Sequence, residues 1–245
     1  MKNSIEVINL SKNYKSKKAV NNISFKINEN EIIGLLGPNG CGKTTTIGMI
    51  LGLLKPTSGK VLINGSNLET NKIPILKKLN FISPYIELPK KLKVKQNLIV
   101  YGKLYNVENL DDRIDYLSKK LRLENLLDKI TGELSSGQKN RVSLAKALIN
   151  DPSVLLLDEP TASLDPETGD FIRTFLENYK KEKKISVLLA SHNMDEVKRL
   201  CNSVLMMKDG NIVDKGTPDE LIEKHGRKNL EEVFLKIARY ENEYN

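Results

Sequence analysis

The chain has 245 residues, 39% hydrophobic and 29% charged, with a net charge of +8 and two cysteines, Cys41 and Cys201. These proportions describe a globular protein and exclude collagen, a mucin-like stalk or a disordered chain. No apolar run approaches the roughly 20 residues that cross a bilayer. The opening Met1–Glu6 lacks the basic and apolar regions of a secretory leader, and two cysteines imply no disulfide framework, so the cytosol is the expected compartment.

Residues 3–9 and 19–27 alternate as half-buried strands do. The apolar run Glu31–Leu36 suits a strand buried on both faces and ends in a glycine-rich turn. Residues 43–53 predict a helix, and residues 59–64 a strand opened by the turn Pro56-Thr57-Ser58-Gly59. From about 75 to 130 the pattern is helical and polar, with amphipathic stretches at Val94–Tyr105 and Asp111–Leu121. Ser135–Ile149 predicts another helix, Val154–Leu157 a strand, Pro166–Lys181 a helix and Ile185–Ala190 a strand. A helix near Asn193–Leu200 follows. Residues 204–207 and 212–215 then bracket Lys208-Asp209-Gly210-Asn211, a hairpin signal. Thr217-Pro218 opens a helix as N-cap and first residue, and Leu230–Ile237 is a last short one. Strands alternating with helices predict an α/β fold with a mainly parallel sheet.

Gly37-Pro38-Asn39-Gly40-Cys41-Gly42-Lys43-Thr44 matches G-x-x-x-x-G-K-[ST] between a predicted strand and a predicted helix. Glycines permit a tight loop whose inward N–H groups, with the helix N-terminus, form a nest for phosphate oxygens. Lys43 is placed to reach the β- and γ-phosphates of a nucleotide, and the Thr44 hydroxyl to bind Mg²⁺. Cys41 reads either as a small filler or as a thiol whose pKa the helix N-terminus lowers. Val154-Leu155-Leu156-Leu157-Asp158-Glu159 carries two carboxylates to the C-terminal edge of a buried strand, where ligands bind in α/β sheets. Asp158 is the candidate Mg²⁺ ligand and Glu159 the group that orients the attacking water.

With these motifs the chain resembles the ATP-binding cassette subunit of ABC transporters, over essentially residues 3–238. Leu134-Ser135-Ser136-Gly137-Gln138 is similar to that family's signature, with Ser136 where glycine is usual. Ser163-Leu164-Asp165 resembles its D-loop, His192 its switch histidine, and Tyr14 the aromatic that stacks on adenine. The resemblance implies a P-loop NTPase core with a mixed, mainly parallel sheet, an antiparallel β subdomain and an inserted helical subdomain. It implies one domain over 1–245: a core of about 1–84 and 150–215, a helical part at 85–149 and a short helical tail at 216–245. It also implies that ATP, with Mg²⁺, contacts Tyr14, Gly37, Pro38, Asn39, Gly40, Cys41, Gly42, Lys43, Thr44 and Thr45. Ser135, Ser136, Gly137, Gln138 and Asp165 would close on it from a second cassette, in a homodimer or heterodimer. Glu159 and His192 are the implied catalytic pair.

One position departs from the family. The stretch Leu79–Tyr85 reads as a strand, and counting back from Leu92 and Val94 places its Pro84 where a glutamine usually touches the metal; proline offers neither an amide side chain nor an N–H. Between Lys72 and Lys103 eight lysines face one acid, Glu87, which reads as a solvated face or as a docking surface for something acidic. No zinc-finger, RNP or helix-turn-helix pattern accompanies the lysines, so no specific nucleic-acid partner is expected. The resemblance implies a separate integral membrane permease, with this chain peripheral on the cytoplasmic face. The tail from Gly216 to Phe234 resembles those of export-type cassettes. A non-transport cassette in iron–sulfur assembly or on ribosomes is the alternative.

Overall fold

The computed structural model describes residues 2–15, 17–84 and 86–239, and it divides into two compact units, each treated in turn. The first unit spans residues up to Leu76 and from Ser186 onward; the second spans Lys77–Ile185.

The first unit holds two sheets. In one, β1 (Asn3–Tyr14) pairs antiparallel with β2 (Lys17–Asn28) and with β4 (Ser58–Ile63), which pairs in turn with the two-residue β5 (Ser66–Asn67). Ile5, Val7 and Leu10 of β1 are buried with Val20, Ile23, Phe25 and Ile27 of β2. In the other sheet β3 (Ile32–Leu36) lies between β8 (Ser186–Ala190) and β9 (Ser203–Lys208), parallel to both, and β10 (Asn211–Gly216) returns antiparallel to β9. The sheet is therefore mixed and mainly parallel. All five residues of β3 and of β8 are buried, as an apolar run without alternation requires. Asp209 and Gly210 both take positive φ, 46° and 77°, at the β9–β10 turn, so the Asp-Gly pair supplies the left-handed backbone of a tight hairpin.

The helices of this unit are α1 (Lys43–Ile50), α2 (Lys72–Leu76), α7 (Met194–Leu200), α8 (Pro218–His225) and α9 (Leu230–Arg239). Helix α1 ends three residues before the expected boundary because Gly52 turns to φ 65° and Leu53 and Leu54 donate back to the Gly48 carbonyl. Thr217 and Glu220 cap α8 reciprocally, with Pro218 at its first position. Strand β5 and helix α2 were not expected; at two and five residues they are too short for any periodicity to register.

In the second unit β6 (Leu79–Ile82) pairs parallel with β7 (Val154–Asp158). Around them stand α3 (Val94–Leu104), α4 (Leu110–Lys120), α5 (Ser136–Leu148) and α6 (Pro166–Lys183). The stretch from 75 to 130 is thus not wholly helical: Leu79, Asn80 and Ile82 are buried beside β7, and the strand expected at 79–85 holds over its first four residues. Tyr85, the end of that expected strand, lies outside the described residues, as do the last six residues of the tail. No described helix is long and apolar enough to cross a membrane.

Candidate functional site

The glycine-rich loop continues β3 and opens α1. Gly37 is packed so tightly that an added Cβ would collide with the Met207 carbonyl; at Gly42, with φ 110°, it would collide with the Ala19 carbonyl. No other residue allows the loop to press on the ends of β9 and β2 in this way. Cys41 anchors it further, donating its N–H to Pro38 O at 3.3 Å and accepting from the Gly210 N–H at 3.0 Å. Asn39 and Gly40 stand exposed at the tip, Pro38 and Thr45 are half-buried, and Thr44 is exposed on the first turn of α1. Lys43 is only 9% exposed, and its ammonium donates to the Gly37 carbonyl at 2.6 Å and the Pro38 carbonyl at 3.2 Å. The loop thus gathers a buried cation and the open N–H groups of a helix start at one point, an anion cradle.

Cys41 is the filler of the two readings. The residue is 2% exposed and its sulfur lies 3.9 Å from Lys43 Nζ; burial pushes the thiol pKa up although the lysine opposes it. The expectation of a lowered pKa is therefore corrected: dehydration outweighs the helix terminus and the neighbouring cation.

Two further candidates belong to the same unit. Tyr14 ends β1 and is 46% exposed, with Lys12 Nζ over its ring 5.1 Å from the centre. His192 follows β8 and is exposed, its ring edge-on to Phe234 of α9 at 6.5 Å. Its turn is fixed from both sides: Ser191 Oγ donates to buried Glu196 at 2.5 Å and accepts from the Asn193 N–H at 3.1 Å. The Asn193 side chain caps α7 by accepting from Glu196 N–H at 3.0 Å.

The second unit carries the carboxylates. Strand β7 is buried throughout and ends on Asp158, 6% exposed. Glu159, next along, takes φ 51°, a left-handed conformation disfavoured for a long side chain and of the kind that concentrates at functional sites. Asn140 of α5 donates to the carbonyl of the following Pro160 at 2.6 Å. Ser135 and Gln138 cap α5 reciprocally, at 3.3 and 3.0 Å, so the signature-like segment is a capping box whose helix N-terminus is the expected anion-facing end. Gly137 leaves 3.1 Å between a would-be Cβ and the Thr168 side chain, and Ser136 is exposed. Asp165 caps α6, and the Thr168 N–H it accepts at 2.9 Å is the first cause of its lowered pKa. A cleft of about 230 Å³ is lined by Pro84, Lys90, Ser136, Asn140, Glu159 and Leu164. The structure thus brings Ser136 and Glu159 to one cleft, while the phosphate loop, Tyr14 and His192 stand in the other unit. Asn140 was missed, since a lone asparagine inside a helical pattern carries no signal until its partner is known.

The Thr44 hydroxyl of the first unit and the Asp158 carboxylate of the second are each hard oxygen donors, a chemistry that suits Mg²⁺.

Residues 20–162 match the family model described as ABC transporter. The chain is 34% identical over 226 residues to the ABC transporter ATP-binding protein NatA of Bacillus subtilis, covering 91% of this chain and 92% of that protein. It is 37% identical over 223 residues to the Nod factor export ATP-binding protein I of Rhizobium johnstonii, covering 90% of this chain and 71% of that protein. Among solved structures, a dimeric ATP-binding cassette, MJ0796, in a post-hydrolysis state with ADP and Pi, superposes with a TM-score of 0.80 at 26% identity. That match covers 87% of this chain and 98% of the other.

Proposed function

The chain belongs to the ABC transporter family of ATP-binding subunits, and from that premise we propose that it binds and hydrolyses ATP to drive export through a separate membrane permease. The observation that carries this is the loop from Gly37 to Thr44, which gathers a buried lysine and a helix N-terminus into one anion cradle. Transport is favoured over iron–sulfur assembly or ribosome work because the related proteins NatA and Nod factor export protein I are transporter subunits by name. Export is favoured by the second of these.

Phosphoryl transfer asks mainly for positioning and charge neutralisation. Loop amides and Lys43 hold the polyphosphate, and Lys43 exchanges its bonds to the Gly37 and Pro38 carbonyls for phosphate oxygens of greater charge. Tyr14 stacks on the base. Thr44 and Asp158 would hold Mg²⁺, which supplies neutralisation of charge on the phosphates. Glu159 accepts a proton from the attacking water, and His192 donates to the γ-phosphate. The helix N-terminus framed by Ser135, Ser136, Gly137 and Gln138, with Asp165, closes on ATP held by a second cassette, so two copies complete the site. The dimeric cassette with ADP and Pi supports that arrangement.

The permease contact is assigned to the lysine-rich stretch. Lys90 is paired with Glu87 at 2.6 Å and Lys93 with Asp128 at 3.2 Å, but Lys95 and Lys103 of α3 are exposed beside exposed Val100 and Leu104. Such a face fits an acidic, partly apolar cytoplasmic helix. Purification from detergent-solubilised membranes tests the reading. It predicts recovery of a multi-span hydrophobic partner that high salt releases; recovery with ribosomes, or with iron–sulfur carriers and no membrane protein, would overturn it.

A further inference from the structure

Lys146 stands in the last turn of α5, ten residues past Ser136, and is only 8% exposed. Its ammonium donates to the Phe81 carbonyl at 3.1 Å and lies 4.9 Å from the centre of the Phe81 ring and 5.5 Å from that of Tyr101. Three elements, α5, β6 and α3, therefore meet on one cation. Among the described residues no carboxylate pairs with it. A buried charge without a counter-ion costs stability, and an apolar side chain of similar length would fill the space more cheaply. Retaining a lysine there calls for a reason other than packing.

Phe81 is three residues before Pro84, and Pro84 lines the cleft that Ser136 and Glu159 share. Proline brings no N–H and no amide side chain with which to anchor its own segment. The bond from Lys146 is made to the backbone just upstream, and by the helix that begins with the signature. We propose that Lys146 is a positioning residue for ATP hydrolysis: held between the Phe81 and Tyr101 rings, its ammonium fixes the segment leading to Pro84 against the signature helix. This rests on the ATPase reading above and adds to it a charge that works at a distance from the nucleotide.

Burial lowers the Lys146 pKa from 10.5 to about 8, so the charge is present at neutral pH and lost in mild alkali. The titratable groups on this side are Tyr101 of α3 and, one turn on, Tyr105 at its C-cap. Strand β6 carries none, β7 carries Asp158 at its end, and α5 carries none within a turn of Lys146. Arg113 of α4 is directed to the Leu148 and Ile149 carbonyls instead. Because the folded pKa lies below the unfolded one, this group makes the fold more stable as pH rises from about 8 towards 10.5. A purely structural lysine would therefore leave no alkaline loss of activity behind it.

The test is the pH profile of ATP hydrolysis by the wild-type cassette and by K146R, K146M and Y101L, with melting curves at each pH. The wild type should lose kcat with a midpoint near pH 8 while still folded. K146R should keep its rate at least about one pH unit further, because arginine does not deprotonate there. K146M should lose about tenfold or more in kcat at pH 7 with KM for ATP within about twofold. Y101L, which removes one ring from the cation, should shift the midpoint downward. The inference is overturned if K146R shares the wild-type midpoint, or if folded K146M hydrolyses as fast as the wild type. A folded wild-type protein that does not hydrolyse ATP at all would refute the ATPase reading and take this inference with it.

Discussion

Asn140 and Pro160 are joined by a 2.6 Å bond from the asparagine amide to the proline carbonyl, which clips the turn after Glu159 to the first turns of the signature helix. The carboxylate expected to activate water and the helix expected to close on a partner's ATP are thus mechanically one piece. Replacing Asn140 with alanine should lower kcat by about tenfold, the scale for a misplaced catalytic group, while ATP binding changes little. Stability should fall by about 1 kcal/mol, one hydrogen bond. Steady-state kinetics beside equilibrium ATP binding read both; an equal loss in each would place the bond in the fold alone.

Gly42 is constrained twice, by φ 110° and by the Ala19 carbonyl that a Cβ would strike. Gly42→Ala should cost about 2 kcal/mol or more in thermal unfolding and should weaken ATP binding as the loop shifts. Gly40, with φ 79° but open space around it, should tolerate alanine with backbone strain alone.

Much of this architecture is legible in the residues. The run Ile32–Leu36 leads into a glycine loop whose motif fixes both its shape and its chemistry, and Thr217-Pro218 marks a helix start to the residue. What is hidden depends on distant partners. Cys41 looks activated in sequence because it precedes a helix, and only packing reveals that burial governs it. Asn140 and Lys146 look like ordinary members of an amphipathic helix until Pro160 and Phe81 arrive beside them. The short β5 and α2 are set by tertiary context rather than by pattern.

Cys41 should accordingly react slowly with a small alkylating reagent at pH 7, since thiolate is the reactive form and burial disfavours it. Mass spectrometry should find little modification in the native protein, with or without ATP, and rapid labelling after unfolding. Fast native labelling that ATP suppresses would reverse the assignment.

Asp214 gives the fold an acid-sensitive contact. Burial alone would raise its pKa, but bonds from Lys224 at 2.6 Å, His225 at 2.8 Å and the Lys215 N–H together lower it below 3.8. A lowered carboxylate contributes stability that is full above the unfolded pKa and lost as pH falls through the folded value. The difference in stability between the wild type and Asp214→Asn should therefore be level near neutrality and shrink below about pH 4. Chemical unfolding across pH 3–7 measures it; a difference independent of pH would remove the charge from the account.

Pro84→Gln introduces an amide at the position where the sequence reading expects the family's glutamine, on an exposed residue where the change is structurally mild. ATPase rate, or its stimulation by the permease, should change; identical kinetics in both respects would show that the amide is dispensable here.

The central claim is that two copies close over ATP before it is cleaved. Glu159→Gln keeps the size of the side chain and removes its proton-accepting charge, so bound ATP should persist and closure with it. Light scattering of that variant should show a doubling of mass on adding Mg²⁺ and ATP, absent with ADP and absent when Lys43→Ala is added. A mass that stays monomeric with ATP, in a variant shown to bind the nucleotide, would contradict the account.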